Sequence, residues 1–260
     1  MKKTWILLAA LFLAISPADA RTVRKVYEID DFTGVNVTNA FSVTLERSND
    51  FKVEIEISEE FLPFLLIRNR GGVLELNFTK LPFRLRQKVR NRVARAVISL
   101  PVLTGVTMSG ASKLSSNDQF TNAMDKFVID LRGASEIGNL NIKSPDVEIR
   151  LAGASKASLS LRTSDLDAEL AGASRLELAG ESGEFDIKAA GASRVDALEF
   201  EAENVDVKAS GASTVDVRVT ERLSVELSGA SKCRYSGDSD YVKIKADQIS
   251  GGSTLKQVKN

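Results

Sequence analysis

Serine recurs at Ser112, Ser135, Ser155, Ser174, Ser193, Ser213, Ser231 and Ser253, at intervals of 18 to 23 residues. A serine becomes a nucleophile when a neighbouring base takes its proton. The chain has no histidine, which excludes Ser-His-Asp and Cys-His catalysis and nearly all zinc sites. No other base recurs beside these serines. The spacing instead suits a structural column, in which each hydroxyl donates to the next repeat and accepts from the previous one.

The remaining reactive groups are few. Cys233 is the single cysteine, so no internal disulfide forms, and its parity places it inside as a small hydrophobe. Glu148, Asp167, Asp186 and Asp206 each stand five residues before a repeated glycine and should line up. Two residues on, Arg150, Glu169, Lys188, Lys208 and Glu226 mix signs and partly compensate. Stacked carboxylates suit calcium, but the Gly-Gly-x-Gly-x-Asp repeat of calcium-binding rolls is missing, so neither metal nor cofactor is expected. Lys80, Arg84, Arg86, Lys88, Arg90, Arg92 and Arg95 fall in one stretch without an acidic residue, interleaved with Phe83, Leu85, Val89 and Val93. Such a stretch is either a solvated loop or a contact for anionic lipid, lipopolysaccharide phosphate or acidic glycan. We expect it to be extended or a hairpin.

The elements that position these groups follow from a repeat. Gly-Ala-Ser begins at Gly110, Gly133, Gly153, Gly172, Gly191, Gly211 and Gly229, and a degenerate copy starts at Gly251. A fixed period near 20 marks a solenoid. Around each copy the pattern has period two: Val205, Val207, Ala209, Gly211, Ser213, Val215, Val217 and Val219 share one parity. Strict alternation means extended chain with one apolar face. Each repeat therefore reads as strand, tight bend, strand and polar turn, such as Arg162-Thr163-Ser164-Asp165, with no room for a helix. The expected fold is all-β, a right-handed parallel β-helix of about eight coils. An array of antiparallel hairpins is the alternative. By parity the glycines should form an inward column where backbones approach too closely for a side chain.

The tandem coils follow Ala96-Val97-Ile98-Ser99-Leu100-Pro101 and Leu103-Thr104-Gly105-Val106. Upstream stand Phe32-Thr33-Gly34-Val35-Asn36-Val37 and Phe41-Ser42-Val43-Thr44-Leu45. Over roughly residues 28–256 this resembles the head GIN domain family of bacterial proteins, described as auto-transporter adhesins. The resemblance implies an exported binding module and transfers no catalytic residue.

Residues 1–20 read as a secretory signal peptide: Lys2 and Lys3, an apolar run, then Ala18-Asp19-Ala20. Residues 21–101 should form an N-terminal cap and first coils, with the basic excursion at 80–95. The β-helix repeats should fill 102–260, continuous with the cap. Ser58-Glu59-Glu60 before Phe61-Leu62-Pro63 suggests a short capped helix. Lysine plus arginine equals aspartate plus glutamate at 35 each; without Lys2, Lys3 and Asp19 the totals are 33 and 34. That balance gives no global pull toward nucleic acid. No apolar segment beyond the signal region is long enough to span a membrane. The chain ends at Ser253-Thr254-Leu255-Lys256-Gln257-Val258-Lys259-Asn260 without an alternating, aromatic-girdled barrel. The expected place is therefore the periplasm, with the cell surface as alternative. The expected function is an envelope-associated binding or scaffold protein whose partners are anionic glycans, lipids or surface proteins. The alternatives are a structural envelope-stress protein or a polysaccharide-acting β-helix enzyme. The enzyme reading would use acidic turns such as Phe200-Glu201-Ala202-Glu203 and Ser236-Gly237-Asp238-Ser239-Asp240.

Overall fold

Alternation of apolar and polar residues runs through most of the described chain, and it draws the backbone there into strands rather than helices. The computed structural model describes residues 21–88, 93–123, 126–238 and 241–258, so the signal-peptide reading of 1–20 lies outside the described residues. The strands form a β-solenoid of about seven turns. In the repeats, β8 (Gly105–Met108) precedes a Gly-Ala-Ser bend and β9 (Lys113–Thr121) follows it. Next come β10 (Lys126–Leu131), β11 (Glu136–Lys143), β12 (Asp146–Leu151), β13 (Lys156–Arg162) and β14 (Asp165–Leu170). The strands β15 (Arg175–Ala189), β16 (Arg194–Ala209) and β17 (Thr214–Leu227) are long, because they run through the polar turn without a break. β18 (Lys232–Ser236), β19 (Lys243–Ile249) and β20 (Thr254–Gln257) complete the series.

Pairing between successive coils is parallel throughout: β10 with β12, β12 with β14, β14 with β15, and on the other side of the bend β11 with β13 and β13 with β15. Among the described residues the repeats contain no helix, and the parallel pairing excludes the hairpin array. Inward residues such as Leu166, Ala168, Leu170, Leu176 and Leu178 are buried. Each fully buried large apolar side chain contributes about 1.5–3 kcal/mol. Unequal repeat lengths have a local cause. Between Ala197 and Glu201 the register of β16 against β17 shifts, and the extra length brings Phe200 into the core, edge-on to Phe185 at 5.4 Å.

The bends differ from expectation in one respect. Every Gly of the column, Gly110 through Gly251, is exposed rather than inward. Its φ of +68° to +83° turns the chain outward at the position that alternation would bury. Glycine is nonetheless required, because each copy stacks on the one before. A Cβ on Gly172 would lie 2.6 Å from the Gly153 carbonyl oxygen, and one on Gly191 equally close to that of Gly172. The same carbonyls accept hydrogen bonds from the next bend, for example from Ala173 N at 2.7 Å, so the ladder continues through the corner.

The N-terminal part is threaded out of sequence order. Its strands are β1 (Thr22–Tyr27), β2 (Gly34–Val37), β3 (Ser42–Arg47), β4 (Lys52–Ser58), β5 (Leu65–Arg70), β6 (Val73–Phe78) and β7 (Ala94–Leu100). β2 lies between β6 and β8, and β3 lies between β7 and β9, all parallel. The first strand pair is thus sandwiched by coils that follow it in the chain. In its bend, Asn39 and Ala40 adopt φ of 63° and 64°, and Phe41 fills the place that serine takes later. Outside β6 and β7 lie antiparallel strands: β5 on β6, β4 on β7 and β1 on β4. With buried Phe61 they cover that end of the core. The expected helix after Ser58 is a 3-10 segment, Glu59–Phe64. Ser58 does not cap it; its hydroxyl accepts from Val93 N at 3.1 Å.

Candidate functional site

The column of serines is buried from Ser112 to Ser231, and Ser253 is partly exposed. The hydroxyls do not form the inter-coil chain that their spacing suggests. The seven from Ser112 to Ser231 donate instead to the carbonyl three residues earlier in their own bend, for example Ser135 to Arg132 at 2.9 Å, Ser155 to Ala152 at 2.8 Å, Ser174 to Ala171 at 2.8 Å and Ser213 to Ser210 at 2.9 Å, while Ser253 accepts from Ser231 N at 3.3 Å. That carbonyl sits where the left-handed glycine turns the chain, within reach of the serine and its one rotatable hydroxyl. Cys233 is buried as expected, and burial together with Asp216 pushes its thiol up to about 12. It stays protonated and unreactive at neutral pH.

The outward columns stack as their offsets indicate. Glu148, Asp167, Asp186 and Asp206 are register partners in turn, and so are Arg150, Glu169, Lys188, Lys208 and Glu226. Desolvation first, and then the carboxylates of Asp206, Asp167 and Glu184, raise the pKa of Asp186, while Lys188 opposes them. At one end Lys126 bridges Asp146, Glu148 and Asp167 at 3.5, 3.1 and 3.8 Å. Among the described residues no group of carboxylates is placed to hold a metal ion.

A tighter arrangement, which the sequence reading missed, lies on the other strand column. Glu177, Asp196, Asp216 and Arg234 are successive partners five residues after their glycines. Asp216 is almost wholly covered by two guanidinium groups. Arg234 Nε donates to its Oδ1 at 2.6 Å, its second nitrogen bonds Oδ2, and Arg194 reaches the same oxygen at 3.4 Å. Counting the offset after each glycine would have found this stack. Of the acidic turns considered for an enzyme, Glu201 is paired with Arg218 at 2.8 Å and Phe200 is buried. Asp240 lies outside the described residues.

Over residues 80–88 the basic stretch is neither extended nor a hairpin, and only its last described residues, 94 and 95, are extended, in β7. After β6, Leu81 is buried, and a helical turn, α1 (Phe83–Arg86), follows with Leu85 packed on the core. Arg86 Nε donates to Leu81 O at 3.0 Å, which closes the turn. With Leu81 and Leu85 inside, Phe83 is forced outward and is 72% exposed. Lys80, Arg84, Arg86 and Lys88 flank it in the sequence, all exposed and without an ion pair among the described residues. Arg90 and Arg92 lie outside the described residues. Arg95 does not belong to this surface, because it stands on β7 and pairs with Glu56 at 3.3 Å. Among the described residues, no helix is long and apolar enough to cross a membrane.

Comparison with known proteins places this geometry. The family described as "Putative auto-transporter adhesin, head GIN domain" matches residues 31–239. Among the curated proteins, none matches. A solved structure named a putative adhesin, from Parabacteroides distasonis, superposes with a TM-score of 0.81 at 16% identity, over 92% of this chain and 98% of that one. Another, from Parabacteroides merdae, gives 0.78 at 19% identity over 91% and 96%. A third, named a putative lipid binding protein from Parabacteroides distasonis, gives 0.78 at 16% identity over 91% and 96%. At these identities the likeness is one of fold.

Proposed function

Since the chain belongs to the head GIN domain family, we propose that it is an exported, non-catalytic envelope module that docks on anionic lipid or lipopolysaccharide through the loop around α1. The observation that carries this reading is Phe83, 72% exposed among the exposed cations Lys80, Arg84, Arg86 and Lys88. An aromatic ring can enter the headgroup boundary while the cations meet phosphates. The signal-like residues 1–20 support export to the periplasm, with display at the surface as the alternative. The relative named as lipid binding is consistent with such a contact.

The test is cosedimentation with phosphatidylglycerol vesicles, phosphatidylcholine vesicles and lipopolysaccharide at low and high salt. Binding should require the anionic surface and weaken with salt. Each basic residue adds about 1 kcal/mol near such a surface, so Arg84→Gln with Arg86→Gln should weaken it about 30-fold. Phe83→Ala should weaken binding at both salt concentrations, since its contribution is apolar. Binding that is equal for wild type and variants removes the loop from the mechanism.

A further inference from the structure

We infer that the outward face of the strands following the bend carries a second site, near the capped end, that takes neutral oligosaccharides. This site does not rest on the lipid reading. A groove of about 460 Å³ runs across β4, β7, β3, β9 and β11. At the ordinary strand spacing those five strands span about 19 Å, which gives an elongated trough rather than a point contact.

The charges along the groove come as pairs. Arg24 at 3.2 Å and Lys52 at 2.9 Å share Glu54, Arg95 meets Glu56 at 3.3 Å and Lys113 meets Glu136 at 3.0 Å. The lining itself holds three cations and three carboxylates, with Lys52 at its edge, so the groove carries no strong field of either sign and every carboxylate in it is already met by a cation. Each pair still presents N–H donors and carboxylate acceptors at its exposed edges, and these form charge-assisted hydrogen bonds to hydroxyl groups. Between the pairs the floor holds the exposed Ser42, Thr44 and Ser115. Donors and acceptors alternating over an uncharged trough are complementary to a ligand rich in hydroxyls, and a saccharide is the common polymer of that kind.

Gly138 is the second observation. The repeat glycines are forced by positive φ and by the carbonyl of the preceding bend. Gly138 has neither constraint: its φ is not left-handed, and a Cβ there would meet nothing within 4 Å. It lies where β11 shifts register against β9, between Ile137 and Asn139. Such bulges commonly re-aim the chain beside binding sites. Farther along, the same outward column carries Ser158, Glu177, Asp196 and Asp216, and the Arg194–Asp216–Arg234 cluster closes the surface. The missing side chain at 138 therefore keeps the trough open at one place. The groove lining contains no aromatic ring for stacking, so single-site affinity should be in the millimolar range. That weakness suits adhesion by many copies.

The test is NMR titration of isotope-labelled protein with maltohexaose, cellohexaose and mannohexaose, with polygalacturonate as the charged comparison. At least one neutral hexasaccharide should shift the amides of Ser42, Thr44, Ser115 and Gly138 saturably. Gly138→Gln fills the trough without adding charge or strain, so it should fold with unchanged thermal stability and weaken binding at least tenfold. Ser115→Gln narrows the same floor from β9 and should do likewise. The inference is overturned if no neutral hexasaccharide shifts these amides, if polygalacturonate alone does, or if both variants bind as wild type does. Loss of vesicle binding in the Arg84 and Arg86 variant should leave the saccharide shifts intact, which separates the two sites.

Discussion

Gly172 stacks directly over Gly153, so that a Cβ on the former would lie 2.6 Å from the carbonyl oxygen of the latter. That carbonyl also accepts from Ala173 N at 2.7 Å. Its position is set by the ladder and it cannot yield. Gly172→Val would combine a left-handed backbone at φ +81° with this overlap. The first effect costs about 1–2 kcal/mol and the second about 1–3 kcal/mol. Urea unfolding should show a loss near the sum, whereas Gly138→Ala, which meets nothing, should change stability by less than about 0.5 kcal/mol.

Because each buried serine bonds its own bend, the serines should act independently. Ser174→Ala leaves the Ala171 carbonyl without its 2.8 Å donor and should cost about 1 kcal/mol. Ser155→Ala should cost a similar amount for the loss of its bond to Ala152. The double variant should be additive within about 0.5 kcal/mol. A larger coupling in the double-mutant cycle would mean that the hydroxyls communicate between coils.

The two guanidinium groups on Asp216 should contribute unequally. Arg234 supplies two hydrogen bonds to the carboxylate and Arg194 supplies one at 3.4 Å. Arg234→Met leaves a covered carboxylate with only the weaker partner, and should cost about 2 kcal/mol at pH 7. Arg194→Met should cost under about 1 kcal/mol. Equal losses in denaturant unfolding would contradict the asymmetry.

Two outward carboxylates should respond to pH with opposite sign. Burial and like charges raise the pKa of Asp186, so its stabilising proton is held below the unfolded pKa and lost as pH rises through the folded one. Asp186→Asn should therefore raise the melting temperature at pH 7, by an effect of about 0.5 kcal/mol. The gain should vanish below about pH 4. The Ser158 hydroxyl first, and then Lys156 and Arg175, lower the pKa of Glu177. Its contribution is present above the unfolded pKa and lost as pH falls through the folded one, so Glu177→Gln should destabilise at pH 7 and be neutral in acid. Melting curves across that range, at low salt, check both.

Much of the fold is determined by the sequence itself, because a coil is a local object. Period-two alternation specifies the strands, and the Gly-Ala-Ser spacing specifies which residues share a column. The stacks running from Glu148 to Asp206 and from Arg150 to Glu226 form as counted. Only the tertiary structure decided which coil neighbours which at the capped end. The insertion of residues 34–47 between 73–100 and 105–121 is a nonlocal choice that no periodicity records. It also decided what parity misplaced. Glycine lies at the bend apex because left-handed φ breaks the alternation there, and serine turns to the carbonyl three residues back because that acceptor is nearer than the next coil's hydroxyl. Leu81 and Leu85 bind the core and so expel Phe83, while Arg95 is drawn to Glu56 on a strand that joins the sheet from elsewhere in the chain. Charge and spacing in the sequence mark the residues that can make contacts; long-range strand pairing determines which surface each one faces.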